Sequence, residues 1–240
     1  MTVKEHYDNH LGDIYSWMTG NFQIKQKEFE QFLSEHNIIP TSTKIAIDLG
    51  AGHGIQAVSI AKRGYDVKAV DFNTQLLDEL AINSAGLAVE IIDDDIRNVK
   101  RFTDSRPELI VCCGDTLTHL DNIEEIRTLL SDCAEILADN GKLILTFREY
   151  STELHGDNRF IPVKSDDTKI FICCLDYEPI RVRVTDILYY KTDNGWKMKV
   201  SSYYKVRVAP QAIVDIVSEE GLIIDFNGVV NSMVAVIVRK

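Results

Sequence analysis

Long apolar runs are missing from this 240-residue chain. No stretch reaches the roughly 18 residues that a membrane helix needs, so no membrane partner is expected. The start, Met1-Thr2-Val3-Lys4-Glu5-His6, carries charge and no apolar core, and does not read as a signal peptide. CxxC pairs are missing too. The five cysteines are Cys112, Cys113, Cys133, Cys173 and Cys174, an odd number with two adjacent pairs. That spacing suits neither a zinc ribbon nor a thioredoxin-type site. They are expected to be reduced, buried thiols of a cytoplasmic protein. His6, His10, His36 and His155 are read as lacking metal-ligand spacing, so no metal is expected. Basic charge is scarce: 26 Lys/Arg stand against 37 Asp/Glu, a net −11. Such a surface repels phosphate backbones, and no nucleic-acid partner is expected. A hydrophobic content of 45% is enough for a packed core and excludes a disordered chain.

What is present is an alternation. Short, nearly continuous apolar runs occur at Ile45–Leu49, Val67–Val70, Val89–Ile92, Leu109–Cys113 and Leu143–Phe147. They read as strands covered on both faces. Between them lie 3.6-period faces, such as Leu76, Leu77 and Leu80, and a longer one from Ile123 to Leu137. This predicts an α/β fold with a mostly parallel sheet and helices on both faces. Ligands of such sheets sit beyond the carboxyl ends of the strands. From about Ile180 the period falls to two, and Asp193-Asn194-Gly195 is a hairpin signal. Residues 156–208 read as an antiparallel β insert with ten Lys/Arg and seven Asp/Glu, a net +3 that leaves −14 on the rest. Residues 1–42 read as an N-terminal helical lid; 43–155 and 209–240 read as the main domain.

Three features at strand ends carry chemistry. The first is Asp48-Leu49-Gly50-Ala51-Gly52-His53-Gly54, after a strand and before a helix. Its glycines let a ligand approach the backbone. A dinucleotide fingerprint would read GxGxxG; this loop reads GxGxG. Asp48 suits a ligand with a positive end. His53 is expected to offer only backbone. The second is Asp71, placed to accept from ribose hydroxyls, with Phe72 beside it for an adenine ring. The third is Asp95, for an exocyclic amine, with the Ile96 N–H for a ring nitrogen. Each acid has a rival role as a helix N-cap. In order and on these elements, the three select a nucleoside.

These motifs, DLGAGHG at Asp48–Gly54, AVDFN at Asp71 and IDDDIRN at Asp95, resemble those of the class I S-adenosylmethionine-dependent methyltransferases. The resemblance spans about Thr43 to Tyr150 and the last thirty residues. It implies a Rossmann-like seven-stranded sheet with an antiparallel last strand, and S-adenosyl-L-methionine as methyl donor. It also adds Cys113 to the donor-binding set. The segments Leu109–Leu120 and Gly141–Tyr150 look like the glycine N-methyltransferase group of small-molecule enzymes. That group has an asparagine where Asp115 stands, and an arginine, matching Arg148, that holds the substrate carboxylate. The departure at Asp115 withholds the substrate.

The expected reaction is in-line transfer of a methyl group to N, O or S of a small molecule. His119 is the candidate base, its rival role being a histidine that caps the next helix. Asp115 is a candidate to orient the acceptor, or a turn residue. Arg148 is a candidate for an anionic group, or a partner of Glu149. In the resembling family the N-terminal helices close over the donor, so Tyr15 and Trp17 are candidates to line the site; core packing is the rival. The basic positions Arg181, Arg183, Lys197, Lys199, Lys205 and Arg207 read as a solvated strand face, or as a surface for an anionic substrate or a homodimer partner. The rival functions are a donor-binding protein without transfer, and an NAD-dependent oxidoreductase.

Overall fold

Apolar runs covered on both faces force helices onto both sides of the sheet. The computed structural model describes residues 1–102 and 104–240. It opens with α1 (Val3–His6), a π-turn at Tyr7–Leu11, α2 (Gly12–Thr19) and α3 (Phe22–Glu35). Then come β1 (Ile45–Leu49), α4 (Ile55–Ala61), β2 (Asp66–Asp71), α5 (Thr74–Asn83), β3 (Val89–Asp93), β4 (Leu109–Cys112), α6 (Ile123–Ile136) and β5 (Lys142–Phe147). The antiparallel strands β6 (Phe160–Ser165), β7 (Lys169–Tyr177), β8 (Arg181–Thr192) and β9 (Gly195–Val206) follow. α7 (Pro210–Glu219), β10 (Ile223–Val230) and β11 (Met233–Arg239) close the chain.

The main sheet has the order β10-β11-β5-β4-β1-β2-β3. β1 to β5 pair in parallel, while β11 runs antiparallel to both β5 and β10. The order reverses between β1 and β4, so the loops after these two strands flank the crevice where such sheets bind ligands. Asparagines set the helix starts: Asn21, Asn73 and Asn122 accept the N3 N–H of α3, α5 and α6.

The first 42 residues divide in two. Phe32 and Leu33 of α3 join the same buried cluster as Ala57 and Ile60 of α4, so α3 belongs to the helical layer of the main domain. The preceding twenty residues form a strap between the main sheet and the insert. Lys4 Nζ donates to the Phe72 carbonyl at 2.7 Å, and Asn73 Nδ2 to Asp8 at 2.8 Å. Towards the insert, His6 Nε2 meets Asp186 at 2.9 Å and Nδ1 meets Ser201 at 2.8 Å, both buried.

The insert is a four-stranded sheet, β6-β7-β8-β9. Asp193-Asn194 is its two-residue turn, with Thr192 paired to Gly195. Val182 and Val184 are buried as the alternation predicts, but Ile180 lies exposed in a turn. β9 departs from expectation. Trp196, Met198 and Val200 face outward to solvent, while the opposite face carries Tyr203 and Lys205 into the protein. Alternation reveals that two faces differ, not which one the rest of the chain covers.

Candidate active site

The glycine loop leaves β1 and turns back beneath β2. Gly50 and Ala51 N–H both donate to the Val70 carbonyl at 2.9 Å. Gly50 has φ +76° and packs on Thr116 in the turn after β4, so a Cβ there would run into that side chain. Gly54 has φ +100° and sits against Leu80 of α5. Gly52 is different: the Tyr15 ring lies 3.7 Å from where its Cβ would be. The strap therefore places Tyr15 across the loop.

Asp71 ends β2 and organises the loop directly. Its carboxylate accepts from Gly52 N–H at 2.8 Å and from Asn73 N–H at 2.9 Å. Burial raises its pKa, against the lowering effect of those N–H groups. Asp48 is buried in β1 and one of its carboxylate oxygens has no hydrogen-bond partner. Burial, then the neighbouring charge of Asp71, push its pKa up to about 8. An orphaned carboxyl oxygen inside the loop is a costly feature for an empty fold. Cys113, buried after β4, is held a neutral thiol: burial and the Asp48 charge push it up to about 12.

Phe72 is half-buried, edge-on to Tyr7 at 5.9 Å. β3 ends at Asp93, so Asp95 lies beyond the strand and starts the turn Ile96–Arg101. Its carboxylate accepts from Arg97 N at 2.9 Å and from the Arg97 guanidinium at 2.6 Å. Burial raises its pKa, but Arg97 outweighs it and holds the group below the ordinary range. The capping role foreseen as its rival is thus filled. Ile96 is the first residue of that turn, where an N–H has no intrahelical partner. His53 offers more than backbone: its buried ring packs edge-on to Tyr15 at 5.4 Å and to Phe22 at 5.4 Å.

Across the crevice, Asp115 occupies a left-handed turn with φ +82°. It is buried, and its carboxylate accepts from Thr118 Oγ1, Arg148 N–H and Tyr150 OH, each at 2.9 Å. Lys205 Nζ of β9 completes the set at 2.5 Å. Burial raises the Asp115 pKa, but Lys205 dominates and holds it low; Asp115 in turn outweighs burial and holds Lys205 well above its ordinary value. Four internal donors favour the turn role for Asp115 over direct substrate contact. They also correct the solvated-face reading at Lys205, which is a buried cation. Arg181 and Arg183 do face solvent, paired with Glu178 at 2.6 Å and Asp176 at 2.9 Å.

His119 stacks on Tyr203 at 5.5 Å, and its Nε2 lies 3.5 Å from Tyr7 OH. Its buried Nδ1 has no partner. Burial, then the Lys205 charge, push its pKa down to about 3, so it is neutral at physiological pH. Arg148 is exposed and, among the described residues, makes no ion pair; Glu149 instead accepts from Ser151 and Thr152. Trp17 turns to the insert: its Nε1 donates to Asp166 at 2.5 Å, and Lys164 and Lys169 lie over its ring. Sequence reasoning passed over Tyr150 and Tyr203, which look like ordinary strand and strand-end residues, and read Lys205 only as one of the insert's basic positions. Tyr7 carried the one available signal, an aromatic in a polar N-terminal segment. Among the described residues, no group of three or more His, Cys, Asp or Glu is arranged to hold a metal ion.

Residues 46–141 match the family model of a methyltransferase domain. The glycine/sarcosine N-methyltransferase of Aphanothece halophytica is 28% identical over 61% of this chain and 57% of that protein. The glycine/sarcosine N-methyltransferase of Halorhodospira halochloris is 30% identical over 46% and 42%. The chain thus spans about half the length of these curated relatives. A ubiquinone biosynthesis O-methyltransferase of Photobacterium profundum is 26% identical over 64% of this chain and 71% of that one. Among solved structures, the CcbJ methyltransferase of Streptomyces caelestis superposes with a TM-score of 0.78 at 18% identity, covering 97% of each chain. An S-adenosylmethionine-dependent methyltransferase of Clostridium acetobutylicum superposes at 0.73 and 16%, covering 98% and 96%. The chain has the class I methyltransferase fold.

Proposed function

We propose that this methyltransferase-domain chain is an S-adenosylmethionine-dependent enzyme that methylates a small molecule. The observation that carries the reading is Asp48. A buried carboxyl oxygen without a partner, at the end of β1 beside a glycine loop covered by Tyr15, matches a ligand that brings positive charge and its own donors. The donor supplies an activated methyl group on a sulfonium. The residues that fit it are Gly50, Gly52 and Gly54 for close approach, Asp71 for ribose hydroxyls, and Phe72, Asp95 and Ile96 for the base. Cys113 adds an apolar wall.

The remaining residues align the acceptor and exclude water. Such alignment, not a chemical group of the protein, supplies most of the rate in a displacement of this kind. A histidine with a pKa near 3 is too weak to deprotonate a hydroxyl. His119 therefore positions the acceptor with a neutral ring nitrogen. This favours an acceptor that is nucleophilic without a base, such as a neutral amine, over oxygen. Arg148, left without an ion pair, is available for an anionic group of the acceptor. Tyr7 and Tyr15 close the strap over both sites. The glycine/sarcosine N-methyltransferases to which the chain is similar are named for small-molecule acceptors, and the same class is proposed here.

The test is calorimetric titration with S-adenosylmethionine, S-adenosylhomocysteine and NAD, alongside Asp71→Ala. Micromolar binding of both sulfur nucleosides, lost in the variant, is expected. S-adenosylhomocysteine should then accumulate with amines from a small-molecule panel. Binding of NAD alone overturns the reading. Donor binding with no turnover on any amine, hydroxyl or thiol would instead select a binding protein without transfer.

A further inference from the structure

The insert has a covered face and an uncovered one. Its inner face packs on the strap and on Tyr150. Its outer face is largely exposed, yet half of it is apolar. The strand register puts Ile170, Tyr189 and Met198 in one row across β7, β8 and β9. Trp196 and Val200 flank Met198 on the same side of β9, and Phe160 lies on the same side of β6. These six side chains are between 37% and 57% exposed. At about 200 Å² for a large side chain, they hold on the order of 550 Å² of solvent-facing apolar surface, the upper end of what a monomer exposes.

We propose that this face binds the same face of a second copy of the chain, closing a two-fold dimer as a four-plus-four stranded sandwich. Three observations point to that occupant. The first is charge. Within the six-residue patch no side chain is ionised, and Lys191 stands at its margin opposite Trp196. An apolar surface is complementary to itself without any matching of signs, which an isologous contact requires. The second is the distribution of charge over the chain. The insert carries a net +3 and the rest −14. Contact through the inserts keeps the two acidic bodies at opposite ends, farther apart than the roughly 8 Å over which salt leaves charges coupled. The third is area. Two such faces together bury about 1,100 Å² of apolar surface, above the roughly 1,000 Å² expected of a specific interface.

The faces meet, and the edges do not. β9 is a 12-residue edge strand, but pairing it antiparallel with its own copy about Met198 sets Lys197 opposite Lys199 of the other chain. Like charges directly opposite are destabilising. Stacking the faces about 10 Å apart avoids this and gives the insert the second layer that an antiparallel sheet with two apolar faces needs.

Sedimentation velocity on the intact protein tests the inference, with Met198→Glu as the disrupting variant. Met198 is exposed in the single chain, so at concentrations where the parent is monomeric the variant should unfold at the same temperature. The parent is expected to sediment at twice the chain mass of 27.2 kDa, and Met198→Glu at one. The second readout is fluorescence. The chain has two tryptophans, and Trp17→Phe leaves Trp196 as sole reporter; its emission should shift to the blue as concentration rises through the dimerisation range. A parent that stays monomeric across the micromolar range overturns the proposal. So does a dimer that persists in Met198→Glu while Trp196 emission stays constant, because its interface lies elsewhere. Neither readout needs donor or acceptor, so a failure here leaves the proposed transfer reaction standing.

Discussion

Replacing Lys205 by methionine is the most informative perturbation of the candidate site. The substitution keeps most of the apolar stem and removes one buried cation. Asp115 then keeps Thr118, Arg148 N–H and Tyr150 as donors but loses the ammonium 2.5 Å away. Both side chains are under 10% exposed, so water cannot replace it. Removing one partner of a buried pair costs about 3–5 kcal/mol. The three remaining hydrogen bonds place the expected loss at the lower end, about 3 kcal/mol. For a chain of this size that is a fall in Tm of roughly 6–12 °C. Urea denaturation at pH 7 measures it. Asp115→Asn with Lys205→Met should recover much of the loss, and the double-mutant cycle gives the coupling directly.

The pH dependence has a sign that tests the same reasoning. In the parent, the Asp115 pKa is lowered. Its contribution is therefore present above the unfolded carboxyl pKa and is lost as pH falls through the lower folded value. Without Lys205, burial dominates and the folded pKa rises instead. The variant should then gain stability relative to the parent as pH drops from 7 towards 4. A loss below 1 kcal/mol at pH 7, or parallel pH curves for parent and variant, would refute the pairing.

Asp48→Asn should split stability from binding. The Asp48 pKa is raised to about 8, so the ligand-free parent is penalised progressively from the unfolded carboxyl pKa up to about pH 8. The variant should melt higher at pH 8 and bind S-adenosylmethionine more weakly by calorimetry; weaker melting with unchanged binding would remove Asp48 from the donor site. His119 is neutral far below pH 6.5, so kcat/KM should show no inflection near that pH, only the smooth rise that the acceptor amine's own deprotonation imposes. His119→Gln should retain more activity than His119→Ala, since glutamine keeps a hydrogen-bonding group. Gly50→Ala should cost about 1–3 kcal/mol and weaken donor binding, through its positive φ and the Thr116 side chain; far-UV circular dichroism during thermal melting checks the stability.

Much of this protein is written locally. Continuous apolar runs are the direct signature of strands buried on both faces, and five of them set the parallel core. Glycines in a short run after the first strand mark a tight loop, because glycine accepts positive φ where neighbours such as Thr116 and Leu80 approach closely. The hairpin at Asp193-Asn194 is equally local. Other features depend on residues distant in sequence. Lys205 lies ninety residues from Asp115, and nothing in an alternating strand says which side meets the main domain. The same ambiguity inverted β9, burying Lys205 and exposing Met198. Asp95 shows a third limit: its type and position suit a base contact, and only the folded chain shows that Arg97, two residues on, also binds its carboxylate. Patterning determined the layers and the glycine loop, since both follow from backbone periodicity and conformation. Only the tertiary structure decided the charge states of Asp115, His119 and Lys205, because a buried group's ionisation is set by whichever distant residues the fold packs against it.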